Sequence, residues 1–266
     1  FPLVPTIAAM LVQMKSLKPE WVAPVRFLTN TAAALPPAHI LKLQEIFPNA
    51  RVFSMYGMTE SKRCTWLPPA ELARRPDSVG IAIPGTEIWV ADDEGRPLPP
   101  NTVGELVVRG GHVMQGYWRN EEATAKTLKP GRYPWEKVLH TGDLFRMDDE
   151  GFVYFVGRKD DIISGGEKVA PKEVEAALYA LPGIKEAAVV GVPDEVLGRA
   201  IRAVVVLAEG VTLDARAVIA HCRSQLEDFM VPREVEFRDS LPKTNTGKIQ
   251  RARLQAEAEG REFNED

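Results

Sequence analysis

Apolar residues at Ile7, Met10, Leu11 and Met14 recur at helical spacing, which predicts an opening helix with that stripe in the core and the Thr6 hydroxyl capping its first turn. A short apolar run from 25 to 29 predicts a buried strand. Pro36-Pro37 opens a second helix carrying Ile40, Leu43 and Phe47, Pro48 ends it, and a strand follows over 51–55. Strand, helix and strand in succession predict a parallel α/β layer. After Trp66 the texture changes to short strands with turn signals: 87–91, the turn Asp92-Asp93-Glu94-Gly95, 104–109, and a hairpin over 145–156 around Asp149-Glu150-Gly151. A third pattern follows: helix 171–181 with Val174, Leu178 and Leu181 facing inward, strands 186–192 and 200–207, helix 214–225 and strand 234–237.

These textures divide the chain into an α/β portion over 1–66, a small β-subdomain over 67–157, a charged hinge over 158–161 and an α+β domain over 162–266. With 45% hydrophobic and 26% charged residues in 266, the composition is that of a globular protein. The charge balance, 33 Lys+Arg against 37 Asp+Glu, lacks the basic excess expected of a nucleic-acid binder. Cys64 and Cys222 lie far apart with no ligand-spaced partner, so neither a disulfide framework nor a zinc site is expected. No apolar run approaches membrane-spanning length and Phe1-Pro2-Leu3-Val4-Pro5 has no signal-peptide pattern, so the expectation is a soluble cytoplasmic protein. The start on Phe1, directly into an apolar segment, suggests a piece of something longer.

Four segments carry candidate chemistry. Tyr56-Gly57-Met58-Thr59-Glu60 directly follows a strand, where α/β sheets hold ligands; Thr59 could donate to a phosphoryl oxygen and Glu60 could offer magnesium a hard oxygen. It could equally be a polar loop. In His140-Thr141-Gly142-Asp143, the glycine permits close approach and the Asp143 carboxylate could hold two ribose hydroxyls, although an aspartate after glycine also suits a plain turn; His140 reads as an orienting or surface histidine. The charged run Gly157-Arg158-Lys159-Asp160-Asp161 leads to the pair Gly165-Gly166, which suits a hinge, a turn or a narrow channel. Pro242-Lys243-Thr244-Asn245-Thr246-Gly247-Lys248-Ile249 superficially suggests a phosphate-binding loop, but Ile249 stands where such a loop needs Ser or Thr. Lys248 is better read as a point charge on a loop tip.

Together with Gly104-Glu105-Leu106 and Gly116-Tyr117-Trp118, these segments in this order resemble the adenylate-forming superfamily of acyl-CoA synthetases, peptide-synthetase adenylation domains and luciferases. The resemblance implies a partial α/β adenylate-binding domain with a small β-barrel-like subdomain, followed by a mobile α+β carboxyl-terminal domain. It further implies that Tyr56 and the backbone of Ala32, Ala33 and Ala34 lie along adenine, that Thr59 contacts the α-phosphate, and that Glu60 binds magnesium. Asp143 would hold the ribose, Arg158 would reach it, Asp160 would be the pivot, Gly165 and Gly166 would line the pantetheine path, and Lys248 would be the adenylation lysine. The implied partners are ATP or AMP, magnesium, CoA and a small carboxylic acid.

The superfamily's upstream Ser/Thr/Gly-rich loop is missing, and Thr31 replaces the usual glycine before the alanines. An isolated fragment unable to complete adenylation is therefore expected, with exposed apolar surface favouring self-association into a homo-oligomer. Transfer to a carrier protein in place of CoA, or a non-catalytic module that kept the fold, are the alternatives left open.

Overall fold

The computed structural model describes every residue except 15, 31–34, 36, 166, 195–197, 245–246 and 264–266, and only the backbone of 5, 6, 164 and 165. The chain forms two compact units, Phe1–Val156 and Gly157–Asp266. No helix among the described residues is long and apolar enough to cross a membrane.

The first unit begins with β1 (Pro2–Leu3), α1 (Pro5–Gln13), α2 (Pro19–Val22), β2 (Phe27–Asn30), α3 (Pro37–Ile46) and β3 (Arg51–Phe53). The three strands form a parallel sheet in the order β1-β2-β3, the α/β layer read from the sequence. Its core gathers Leu3, Ala8, Leu28, Ile40, Leu43 and Val52. Two local expectations fail here. The cap of α1 is Val4, not Thr6, because Pro5 takes the first helical position, where its missing N–H costs nothing. Of the Ile7, Met10, Leu11 and Met14 stripe only Leu11 packs inward; Ile7, Met10 and Met14 are exposed, and α1 turns Ala8, Leu11 and Val12 toward α3 and the sheet. The helix is apolar on both sides, and the small, fully buried Ala8 lets it approach closely on that one.

A second group of strands follows: β4 (Met55–Tyr56), β5 (Thr65–Trp66) and β6 (Ile81–Ala82) as a small antiparallel sheet, then β7 (Thr86–Ala91), β8 (Val103–Gly110), α4 (Glu121–Thr127), β9 (Leu128–Pro130), β10 (Lys137–Met147) and β11 (Val153–Arg158). The larger sheet runs β11-β10-β8-β7, with β9 paired to β10. Cys64, Val90, Leu106, Val108, Leu139 and Phe145 fill its core. The turn after β10 is pinned by Asp148, which accepts from the amides of Glu150 and Phe152 and pairs with the buried Arg75.

The second unit holds β12 (Ile163–Gly165), β13 (Glu167–Val169), α5 (Pro171–Ala180), β14 (Ile184–Asp194), β15 (Gly198–Leu207), α6 (Ala215–Gln225), β16 (Glu234–Phe237) and α7 (Arg251–Ala258). β14 and β15 are antiparallel, and β16 returns parallel to β15. The near-continuous apolar runs of β14 and β15 reflect burial on both faces. Ala187, Val189, Ala203 and Val205 pack with Val174, Leu178 and Val218 of α5 and α6, while Ala188, Val190, Val204 and Val206 pack with Leu254 of α7. Asp214 caps α6, accepting from the Ala217 amide at 2.7 Å.

Candidate functional site

The loop after β4 is built around a glycine. A side chain at Gly57 would strike the Lys62 carbonyl oxygen and come within 2.8 Å of the Arg63 Cα, so only glycine lets the chain fold back this tightly. The return is sealed by the Cys64 amide donating to the Tyr56 carbonyl at 2.9 Å. This turn carries Thr59 exposed and Glu60 half-buried. Glu60 Oε1 accepts from the Tyr117 hydroxyl at 2.6 Å, and the Glu60 carbonyl accepts from the Met114 amide at 2.7 Å. Beneath the turn, Ser61 Oγ and Cys64 Sγ lie 2.8 Å apart, and burial pushes the thiol of Cys64 up.

Tyr56 reaches away from this loop to β10. Its hydroxyl donates to Asp143 Oδ2 at 2.7 Å, and its ring meets Phe145 edge-on with centroids 4.8 Å apart. Burial, and then the neighbouring Asp143 charge, push the phenol well above its ordinary range, so it remains a donor at any ordinary pH. Asp143 itself is buried. It reaches this position through an irregularity in the β10–β8 ladder. Between the pairs His140–Val107 and Leu144–Glu105, β10 spends three residues against one on β8, and Gly142 takes φ +69°. The Thr141 hydroxyl donates to the Leu106 carbonyl at 2.8 Å and accepts from the Asp143 amide at 3.1 Å, while the Gly142 amide donates to Glu105 Oε1 at 2.9 Å. The structure therefore brings Tyr56 and Asp143 together. Ala32, Ala33 and Ala34 lie outside the described residues.

In the second unit, Asp160 sits in a single 3-10 turn, Lys159–Asp161, with its side chain 84% exposed and Arg158 at 4.0 Å. The next residue, Asp161, is tied to Arg251 at 2.7 Å, which also grips the buried Glu175. Gly165 ends β12 and pairs with Glu167, and Gly166 lies outside the described residues. Lys248 is exposed on a loop closed by the Thr244 amide donating to the Lys248 carbonyl at 2.8 Å, with Gly247 at φ +80°.

A description of AMP-binding enzymes matches residues 1–118, and that of the AMP-binding enzyme C-terminal domain matches 173–248. The chain belongs to the adenylate-forming family. A long-chain-fatty-acid–CoA ligase from Bacillus subtilis is 38% identical over 256 residues, covering 96% of this chain and 44% of the ligase. A feruloyl-CoA synthase from Amycolatopsis is 43% identical over 196 residues, covering 73% of this chain and 39% of the synthase. Among solved structures, ATP-bound MatB from Rhodopseudomonas palustris aligns with a TM-score of 0.87 at 34% identity, covering 96% of this chain and 50% of MatB. The chain thus spans about half the length, or less, of these adenylate-forming relatives. Within this family portion, two residues that the motif reading quoted without a role, Glu105 and Tyr117, make direct bonds to the candidate site residues or to the bulge that carries them. Their partners lie 37 and 57 positions away in sequence, respectively, so no local pattern pairs them.

Proposed function

We propose that the chain carries the ribose-binding carboxylate, the magnesium ligand and the mobile lysine of an AMP-forming ligase that joins a carboxylic acid to CoA. The observation that carries this reading is Asp143, buried on the glycine bulge of β10 and bonded to Tyr56 at 2.7 Å. Its support from outside is the likeness to CoA ligases and to a structure solved with ATP.

In the first half-reaction an oxygen of the acid attacks the α-phosphorus of ATP, the bond to the β-phosphate oxygen breaks, and pyrophosphate leaves with that electron pair. In the second, the CoA sulfur attacks the acyl carbon, the carbon–oxygen bond to AMP breaks, and the thiol proton passes to solvent. Asp143 accepts from the ribose hydroxyls and Tyr56 flanks the adenine, which orients the nucleotide before chemistry begins. Thr59 donates to the α-phosphate. Glu60 suits magnesium, which takes one or two protein carboxylates and completes its shell with phosphate and water; Tyr117 holds this carboxylate at 2.6 Å. When bound, the ion would neutralise phosphate charge.

Lys248 enters between the acid and the α-phosphate, holding two anions together and stabilising the charge that develops in displacement. Because one pocket must first exclude water and then admit a thiol, the unit bearing Lys248 turns about Asp160, withdrawing the lysine, and the strand ending at Gly165, with Gly166, lines the pantetheine path. Arg158 reaches the ribose from this turn.

The test is to supply the intact protein with ATP, magnesium and fatty, aromatic or short acids, and to follow pyrophosphate release and then CoA-dependent AMP and thioester formation. Acid-dependent pyrophosphate release followed by a thioester is expected. Nucleotide hydrolysis without an acid, or no reaction across all three acid classes, would overturn the reading.

A further inference from the structure

Besides the Thr141 bond to the Leu106 carbonyl, the bulge that presents Asp143 is met from the neighbouring strand by the Glu105 carboxylate. Spending three residues against one on β8 takes backbone groups off the ladder, and an amide shielded from water needs another acceptor in its place. Glu105 supplies that acceptor. Its Oε1 takes the Gly142 amide at 2.9 Å, and its Oε2 lies 3.3 Å from His140 Nδ1, at the other end of the bulge. The Glu105 side chain is 11% exposed and that of His140 is 16% exposed, so these contacts are shielded from water. A carboxylate in that setting gives stronger bonds than a neutral acceptor. Gly142 is the residue immediately before Asp143, and its φ of +69° sets the direction in which the chain enters Asp143.

We propose that Glu105 is a positioning residue for nucleotide binding: it fixes the Gly142 amide, and so aims the Asp143 carboxylate at the ribose, without touching the nucleotide. This rests on the reading that Asp143 binds ribose. A merely structural carboxylate would contribute stability evenly. A positioning carboxylate acts on nucleotide affinity through Asp143 alone.

The test uses Glu105→Ala, Glu105→Gln, Asp143→Ala and the Glu105→Ala/Asp143→Ala double variant of the intact protein. AMP affinity, the KM values for ATP and for the acid, and Tm are measured for each. Glu105→Ala is expected to weaken AMP and raise the ATP KM about tenfold, with the acid KM within twofold. Glu105→Gln, whose amide oxygen still accepts from Gly142, restores most of that loss. The double variant matches Asp143→Ala, because a residue acting through Asp143 has nothing left to position. If Asp143→Ala leaves nucleotide affinity unchanged, the ribose reading itself falls and takes this proposal with it. If Asp143→Ala weakens AMP but Glu105→Ala does not, or if the two losses add, or if ATP and acid suffer alike, only the role of Glu105 is overturned.

Discussion

Asp143 and Lys248 are opposite kinds of charge in opposite kinds of setting. Asp143 is buried on a strand of the first unit, its carboxylate tied to Tyr56 and its backbone to Thr141. Lys248 is exposed in the second unit, on a loop closed by backbone bonds between Thr244, Gly247 and Lys248. A group that must recognise the same ligand throughout a cycle gains from being preorganised, because no reorganisation is then needed at the moment of binding. A group that must arrive for one step and leave before the next gains from few attachments. The difference in burial is what the proposed division of labour requires.

The largest expected effect lies at the exposed end. Lys248→Ala should slow adenylate formation by about 10²–10³-fold in single-turnover pyrophosphate release, the size of one preorganised electrostatic contact. A loss below tenfold would remove the lysine from the chemical step. The turn between the regions comes next. Proline fixes φ near −65°, so Asp160→Pro should lock one orientation and slow thioester formation tenfold or more, with adenylation within about threefold. Equal loss in both half-reactions, measured separately, would remove Asp160 as the pivot.

The first unit should answer in stability. Gly57→Ala forces a methyl onto the Lys62 carbonyl beside Tyr56 and should cost about 1–3 kcal/mol in denaturant unfolding; an unchanged midpoint would mean the loop yields freely. The smallest effect is acid sensitivity. Burial alone would raise the carboxyl of Asp148, but the amides of Phe152 and Glu150, the Tyr154 hydroxyl and Arg75 together hold it below its usual range. A carboxylate lowered in the folded state stabilises above its unfolded pKa and loses that contribution as pH falls through the folded value. Unfolding free energy should therefore decline below about pH 4, and Asp148→Asn should flatten the decline.

How much of this could be read from the residues alone depended on whether the determining contacts were local. The strands β14 and β15 and helices α5 and α6 were legible because two-sided burial writes continuous apolar runs, and because Pro171 and Asp214 mark helix starts. The start of helix α4 is marked in the sequence by Asn120, which accepts from the Ala123 amide at 3.0 Å as an ordinary cap. Helix α7 had little to read, since Leu254 and Ala256 are its only buried side chains among charged neighbours. The face that α1 turns inward was undetermined, because Ile7, Met10, Leu11 and Met14 form as good a stripe as Ala8, Leu11 and Val12, and the two share only Leu11. At the site, Thr141-Gly142-Asp143 is visible as a motif, but the two-residue excess in β10 that aims it exists only once β8 lies alongside.

The most direct test is ATP affinity measured side by side for Asp143→Ala and Lys248→Ala in the intact protein, by equilibrium titration without the acid substrate. The account predicts at least a tenfold loss for Asp143→Ala and a change under about threefold for Lys248→Ala, as expected of a binding group and of a group that acts only in the transition state. Equal losses in both, or a loss confined to Lys248→Ala, would contradict it.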